Sequence, residues 1–148
     1  MKVINVYSRS EHELGRLLSN SAHTPFEYEN VLYASVEAFW YVWRLGSRIS
    51  EQERTTLSLL YGYNAKRYGR ALIRKYGCGS PPDKETLKAV YKAKLEANPR
   101  VRDMLLEYDG GFTHYYVFGE EKIPSKHLWT AKLWEEIRDE LRESYKRS

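Results

Sequence analysis

The chain has 148 residues, with 24 Lys and Arg against 20 Asp and Glu and a formal net charge of +4. That length suits one domain with a single core, and no apolar run approaches the roughly 20 residues that a membrane-crossing helix needs. Cys78 is the only cysteine, which excludes an intrachain disulfide framework and a thiolate metal site.

Taken in chain order, Lys2 to Tyr7 carries apolar and β-branched residues and predicts a short strand. "GRLLSNSAHTP" is punctuated by Gly15, Ser19, Asn20, Ser21 and Pro25 and reads as a turn-rich segment. "FEYENVLYAS" then reads as a hairpin with Glu29-Asn30 at the turn, so the first quarter is expected to be strand and loop.

From Ser35 the pattern becomes helical. Val36, Phe39, Trp40 and Trp43 recur at helical spacing between a capping Ser35 and a terminating Gly46. Ser50 with Glu53 forms a capping box for a second helix ending at Gly62, and Asn64 opens a third that stops at Gly77. Asp83 caps a helix over residues 86–97, and Asn98-Pro99 opens another through Leu106. "FTHYYVFG" predicts a strand, and Ser125 caps a last helix with Trp129, Leu133, Ile137 and Leu141 along one face. The expected architecture is α+β: a mostly helical single domain over residues 1–148 with a small β-sheet from the N-terminal strands and residues 112–118.

The helix of residues 36–45 carries an ordered polar stripe, because Glu37, Tyr41 and Arg44 fall at i, i+4 and i+7. Seven residues rise about 10 Å, too far for a tight Glu37–Arg44 ion pair. The two either answer the helix dipole separately or grip two parts of one ligand. Lys66, Arg67 and Arg70 in "NAKRYGR" are either a solvated basic face or a holder for phosphate or diphosphate. Ser19 and Asn20 either satisfy a turn or hydrogen-bond sugar or base. Tyr115 and Tyr116 alternate across a strand, so at most one faces a site. His12, His23, His114 and His127 have no tight spacing, so neither a metal nor a cofactor is expected. There is no glycine-rich phosphate loop, G-x-S-x-G or H-E-x-x-H. The opening "MKVINVYSRSEHELG" lacks a basic head and a continuous apolar middle, which predicts a cytoplasmic location and no membrane partner.

In order along the chain stand "INVYS", "LLSNSAHTPF", "YASVEAFWYVWRL", "NAKRYGR" and "EEIRDEL". This succession resembles the NADAR (YbiA-like) family from about residue 4 to residue 142. The resemblance implies an N-glycosidase acting between ribose and a base, with two substrate classes. One is ADP-ribosyl-guanine in nucleic acid; the other is phosphorylated ribosylamino-pyrimidine intermediates. It implies that Asn20, Glu37, Lys66 and Arg70 stand where the family keeps polar site residues. Because breaking such a bond builds positive charge on the sugar, Glu37 is expected as the catalytic carboxylate, with Arg44, Lys66 and Arg70 holding phosphate, Trp40 or Tyr116 stacking on the base or closing the pocket, and Ser19 and His127 also about the substrate. Arg44 stands where the family has lysine, and arginine cannot be deprotonated for Schiff-base chemistry. "HYYVFGEEKIPSKHLWTA" replaces the family's "W-G-x-G" and "N-x-L-G", so that Tyr116 or Phe118 takes the tryptophan's place and His127 or Lys126 the asparagine's. Two other readings are a non-catalytic module binding ADP-ribose or a nucleotide, and a small basic nucleic-acid-binding protein.

Overall fold

The computed structural model describes residues 3–147, and its fold is the expected mostly helical α+β arrangement. In chain order the elements are β1 (Ile4–Asn5), α1 (Glu13–Leu18), β2 (Phe26–Tyr28), β3 (Val31–Tyr33), α2 (Val36–Leu45), a 3-10 turn (Gly46–Arg48), α3 (Glu51–Ser58), α4 (Gly62–Tyr76), α5 (Lys84–Ala97), α6 (Pro99–Glu107), β4 (Phe112–Thr113), β5 (Tyr115–Phe118), β6 (Glu121–Pro124) and α7 (Leu128–Arg147). They fall into two compact units, one running Asn20–Asn98 and the other joining the residues up to Ser19 with those from Pro99 onward. Among the described residues no helix is long and apolar enough to cross a membrane.

The unit of residues 20–98 starts with the predicted hairpin. Phe26 pairs with Tyr33 and Tyr28 with Val31, and Glu29 and Asn30 take the left-handed φ values of 51° and 66° that a tight two-residue turn demands. Side chains of the hairpin meet α2 through edge-on rings, Tyr33 and Tyr28 each packing against Phe39. The α2 helix begins where Ser35 Oγ accepts from the Ala38 N–H at 3.1 Å, and it ends at Gly46, whose φ of 55° disfavours a side chain. The capping box of Ser50 and Glu53 starts α3 with both of its hydrogen bonds made. The α4 helix packs on α2, and Gly69 allows this contact: a Cβ there would lie 2.6 Å from Tyr41 Cδ2. The α5 helix turns Leu87, Val90, Tyr91 and Leu95 inward.

In the other unit β1 runs parallel to β4, β5 pairs with β6, and α1, α6 and α7 supply Leu14, Leu18, Val101, Leu105, Trp134 and Ile137 to the core. Several expectations are corrected here. Residues 13–18 form a helix rather than a turn, because Leu14 and Leu18 bury one face and Gly15 lets that face approach Ser10 and Ile4. The first strand covers only Ile4–Asn5, and its predicted start, Lys2, lies outside the described residues. The predicted strand over 112–118 is broken at His114, whose carbonyl accepts from the Ser125 N–H at 3.1 Å; its halves join different ladders, the second with β6, which the sequence reading did not anticipate. The strands make three two-stranded ladders rather than one sheet. In α7 the buried face runs through Leu133, Trp134 and Ile137, while Trp129, in the first turn, is 37% exposed. Ser125 accepts from the His127 N–H just ahead of that helix.

Candidate functional site

A polar cluster forms where the segment at Asn20 and Ser21 meets the first turns of α2 and α4. The Glu37 N–H, unsatisfied within its own helix, donates to the Asn20 carbonyl at 2.7 Å, and the Gly62 N–H donates to the Ser21 carbonyl at 2.8 Å. Two consecutive carbonyls thus cap two helices. The Asn20 side chain is held as well, since its Oδ1 accepts from the Tyr91 hydroxyl at 2.6 Å.

Glu37 leaves α2 on the side facing α4. Its residue keeps some accessible surface, yet burial pushes its carboxyl above the ordinary carboxylate range while the charges of Lys66 and Arg70 pull it down. The carboxyl is therefore held largely out of water between α2 and the cations of α4. Tyr41 lies one turn along. Burial and then the Glu37 charge raise its phenol, whereas Arg70 opposes them by its charge and a hydrogen bond. Glu37, Tyr41, Lys66 and Arg70 therefore act on one another electrostatically. Among the described residues, no cluster of three or more His, Cys, Asp or Glu could hold a metal ion.

Arg44 completes the polar stripe but serves a different group. Its Nε donates to the Gly79 carbonyl at 3.3 Å and its Nη2 to Cys78 Sγ at 3.2 Å, while the Gly79 N–H donates back to the Arg44 carbonyl at 2.7 Å. The guanidinium fastens the chain after α4 to the end of α2. Trp40 is buried at 9% exposure.

The remaining candidates belong to the other unit. Ser19 ends α1 with its N–H on the Arg16 carbonyl. Tyr116 packs edge-on against Tyr7 and His114, and His127 is exposed. That unit also contains a cavity of about 340 Å³ lined by His12, Glu13, Met104, Glu107 and Tyr108 among others; its two carboxylates suit an anionic ligand poorly.

Sequence reasoning missed Tyr91 and Lys94. The Tyr91–Asn20 bond spans 71 positions and leaves no local signal. Lys94 does leave one, since it follows Leu87, Val90 and Tyr91 at the spacing of an inward helix face, next to Leu95. Its side chain is fully enclosed, and burial lowers its ammonium to about 7.

Comparison of the chain with protein-family profiles, with curated proteins and with solved structures gives no match.

Proposed function

We propose that this protein is an N-glycosidase that hydrolyses a bond between ribose and a base, in ADP-ribosyl-guanine or a phosphorylated ribosylamino-pyrimidine, and that it works in the cytoplasm. The observation that carries this reading is the Glu37 carboxyl, desolvated and set beside two cations and a phenol. The ordered succession of segments around Asn20, Glu37, Lys66 and Arg70 in the sequence supports it independently.

Breaking the C1′–N bond moves its electron pair to the base nitrogen and builds positive charge on the ribose ring. An ionised Glu37 beside that ring stabilises the charge and accepts a proton from the water that adds to C1′, while the departing base takes up a proton. The products are free base and a ribose hydroxyl. Lys66 and Arg70 hold substrate phosphate, and their charges oppose the desolvation that raises the carboxyl. Tyr41, bonded to Arg70, orients that guanidinium.

Purified protein is incubated with ADP-ribosylated DNA and, separately, with ribosylamino-pyrimidine phosphate, and released base is measured by mass spectrometry. Glu37→Gln is expected to fold and to lose on the order of 100- to 1000-fold in rate. Unchanged turnover in that variant would remove Glu37 from the chemistry. A rise in Tm with ADP-ribose and no turnover of either substrate would make the site a binding module instead.

A further inference from the structure

The outer face of α4 carries a second feature that hydrolysis at Glu37 does not require. In the whole chain acidic and basic residues are interleaved, but α4, "GYNAKRYGRALIRKY", holds Lys66, Arg67, Arg70, Arg74 and Lys75 and no carboxylate. Tyr63, Arg67, Arg70 and Arg74 fall at i, i+4, i+7 and i+11, which places them on one stripe, and all four are exposed. Opposite them Ala65, Gly69 and Leu72 are buried. Among the described residues, Arg67, Arg70 and Arg74 form no ion pair. Three guanidinium groups along about 10 Å of helix repel one another, and the fold answers Arg70 alone, through Tyr41 and the Glu37 charge.

The head of the stripe is aromatic. Tyr63 is 74% exposed, and Tyr61 just before it is 49% exposed with its ring stacked on His23 at 4.2 Å. An acidic peptide would answer the arginines alone. A nucleic-acid strand answers both halves, its phosphates pairing with guanidinium groups and a base lying on an exposed ring.

We propose that the Tyr63–Arg67–Arg70–Arg74 stripe binds the sugar–phosphate backbone of single-stranded nucleic acid, with Tyr63 stacking on one base. Arg70 also belongs to the Glu37 cluster, so a strand on the stripe leads toward that carboxyl, a step that rests on the cleavage reading. Binding itself does not depend on it.

The test is fluorescence anisotropy of an unmodified single-stranded oligonucleotide of about 12 nucleotides, titrated at several salt concentrations. Affinity is expected to fall linearly with salt on logarithmic axes. Arg67→Ala/Arg74→Ala should flatten that slope by about 1.4, close to 0.7 for each lost phosphate contact, and weaken binding on the order of 50-fold at 50 mM salt. Tyr63→Ala should weaken binding roughly 5- to 150-fold and leave the slope unchanged, because stacking releases no counterion. Lys84→Ala/Lys92→Ala removes the same charge from α5 and should have little effect. No binding at 50 mM salt, an unchanged slope in the arginine variant, or an equal loss in the α5 variant would each overturn the proposal. Equal affinity for a polyglutamate peptide would assign the stripe to an acidic protein and overturn it too. Glu37→Gln removes a negative charge beside Arg70 and should bind at least as tightly as wild type while losing hydrolysis, so failure of hydrolysis and failure of binding are read separately.

Discussion

Lys94 offers the most direct physical test of how the unit of residues 20–98 is built. Its side chain is fully enclosed on α5, and loss of hydration lowers its pKa from 10.5 to about 7. The gap between unfolded and folded values is about 3.5 pH units, and at about 1.36 kcal/mol per unit the charged form costs the fold on the order of 5 kcal/mol. The sign follows from proton counting. Between about pH 7 and pH 10.5 the unfolded chain binds the proton that the folded chain has released, so stability rises with pH across that window. Below pH 7 both states hold the proton and the full cost stands. Guanidinium unfolding at pH 6, 7, 8 and 9 should give a wild-type stability that climbs by about 2–3 kcal/mol from pH 7 to pH 9. Lys94→Met keeps the length and removes the titration, so the difference between the two proteins should change by that amount over the same range. Two parallel profiles would refute the reasoning, because groups other than Lys94 contribute equally to both.

Two further substitutions probe the packing beneath the sites. Gly69→Ala sets a methyl 2.6 and 2.7 Å from Tyr41 Cδ2 and Cδ1, and Tyr41 is too enclosed, at 6% exposure, to swing away. Overpacking at about 1–3 kcal/mol against about 1 kcal/mol of helix propensity predicts a net loss of up to about 2 kcal/mol in denaturant unfolding; a stabilised variant would mean that α4 lifts off α2 freely. In the other unit, Arg138 is buried and its Nη1 donates to the carbonyls of Tyr108 at 2.9 Å and Gly110 at 2.6 Å. Because the Tyr108 carbonyl also accepts from Arg142 Nη2 at 3.3 Å, Arg138→Met chiefly orphans the Gly110 carbonyl and should cost roughly 1–3 kcal/mol, read as a lower Tm, and an unchanged Tm would show that this carbonyl finds another partner.

What the sequence made legible follows the range of the forces involved. Ser35, Ser50 with Glu53, Asp83 and Gly46 mark helix ends through contacts within four residues, and each cap is found where the sequence puts it. The hairpin was readable for the same reason, since Glu29 and Asn30 set its turn locally. Residues 13–18 were not, because Gly15 looks like punctuation until its close approach to Ile4 and Ser10 is known. The break at His114 likewise depends on a hydrogen bond from Ser125, eleven residues away. For the site, helical spacing placed Glu37, Tyr41 and Arg44 on one face, but the meeting of α2 with α4 across Gly69 is tertiary. It separates the stripe into two duties that spacing alone could not tell apart.

Those duties weigh differently in energy, and the difference bears on function. Arg44 near the end of α2 is accounted for by the fold: it satisfies the Gly79 carbonyl, holds Cys78 and carries the charge that a helix C-terminus favours. Glu37 is not so easily explained. An acid in the first turn gains about 0.3–1 kcal/mol from the helix dipole when it is exposed, and that interaction lowers its pKa. Burial raises the Glu37 carboxyl instead, so desolvation outweighs the dipole, and a solvent-facing side chain at the same position would have kept the gain without the cost. Lys66 and Arg70 offset part of that cost, but a well-packed apolar side chain would need no such compensation. A carboxyl kept desolvated beside Lys66 and Arg70 at the expense of folding is the feature on which the proposed glycosidase reading rests.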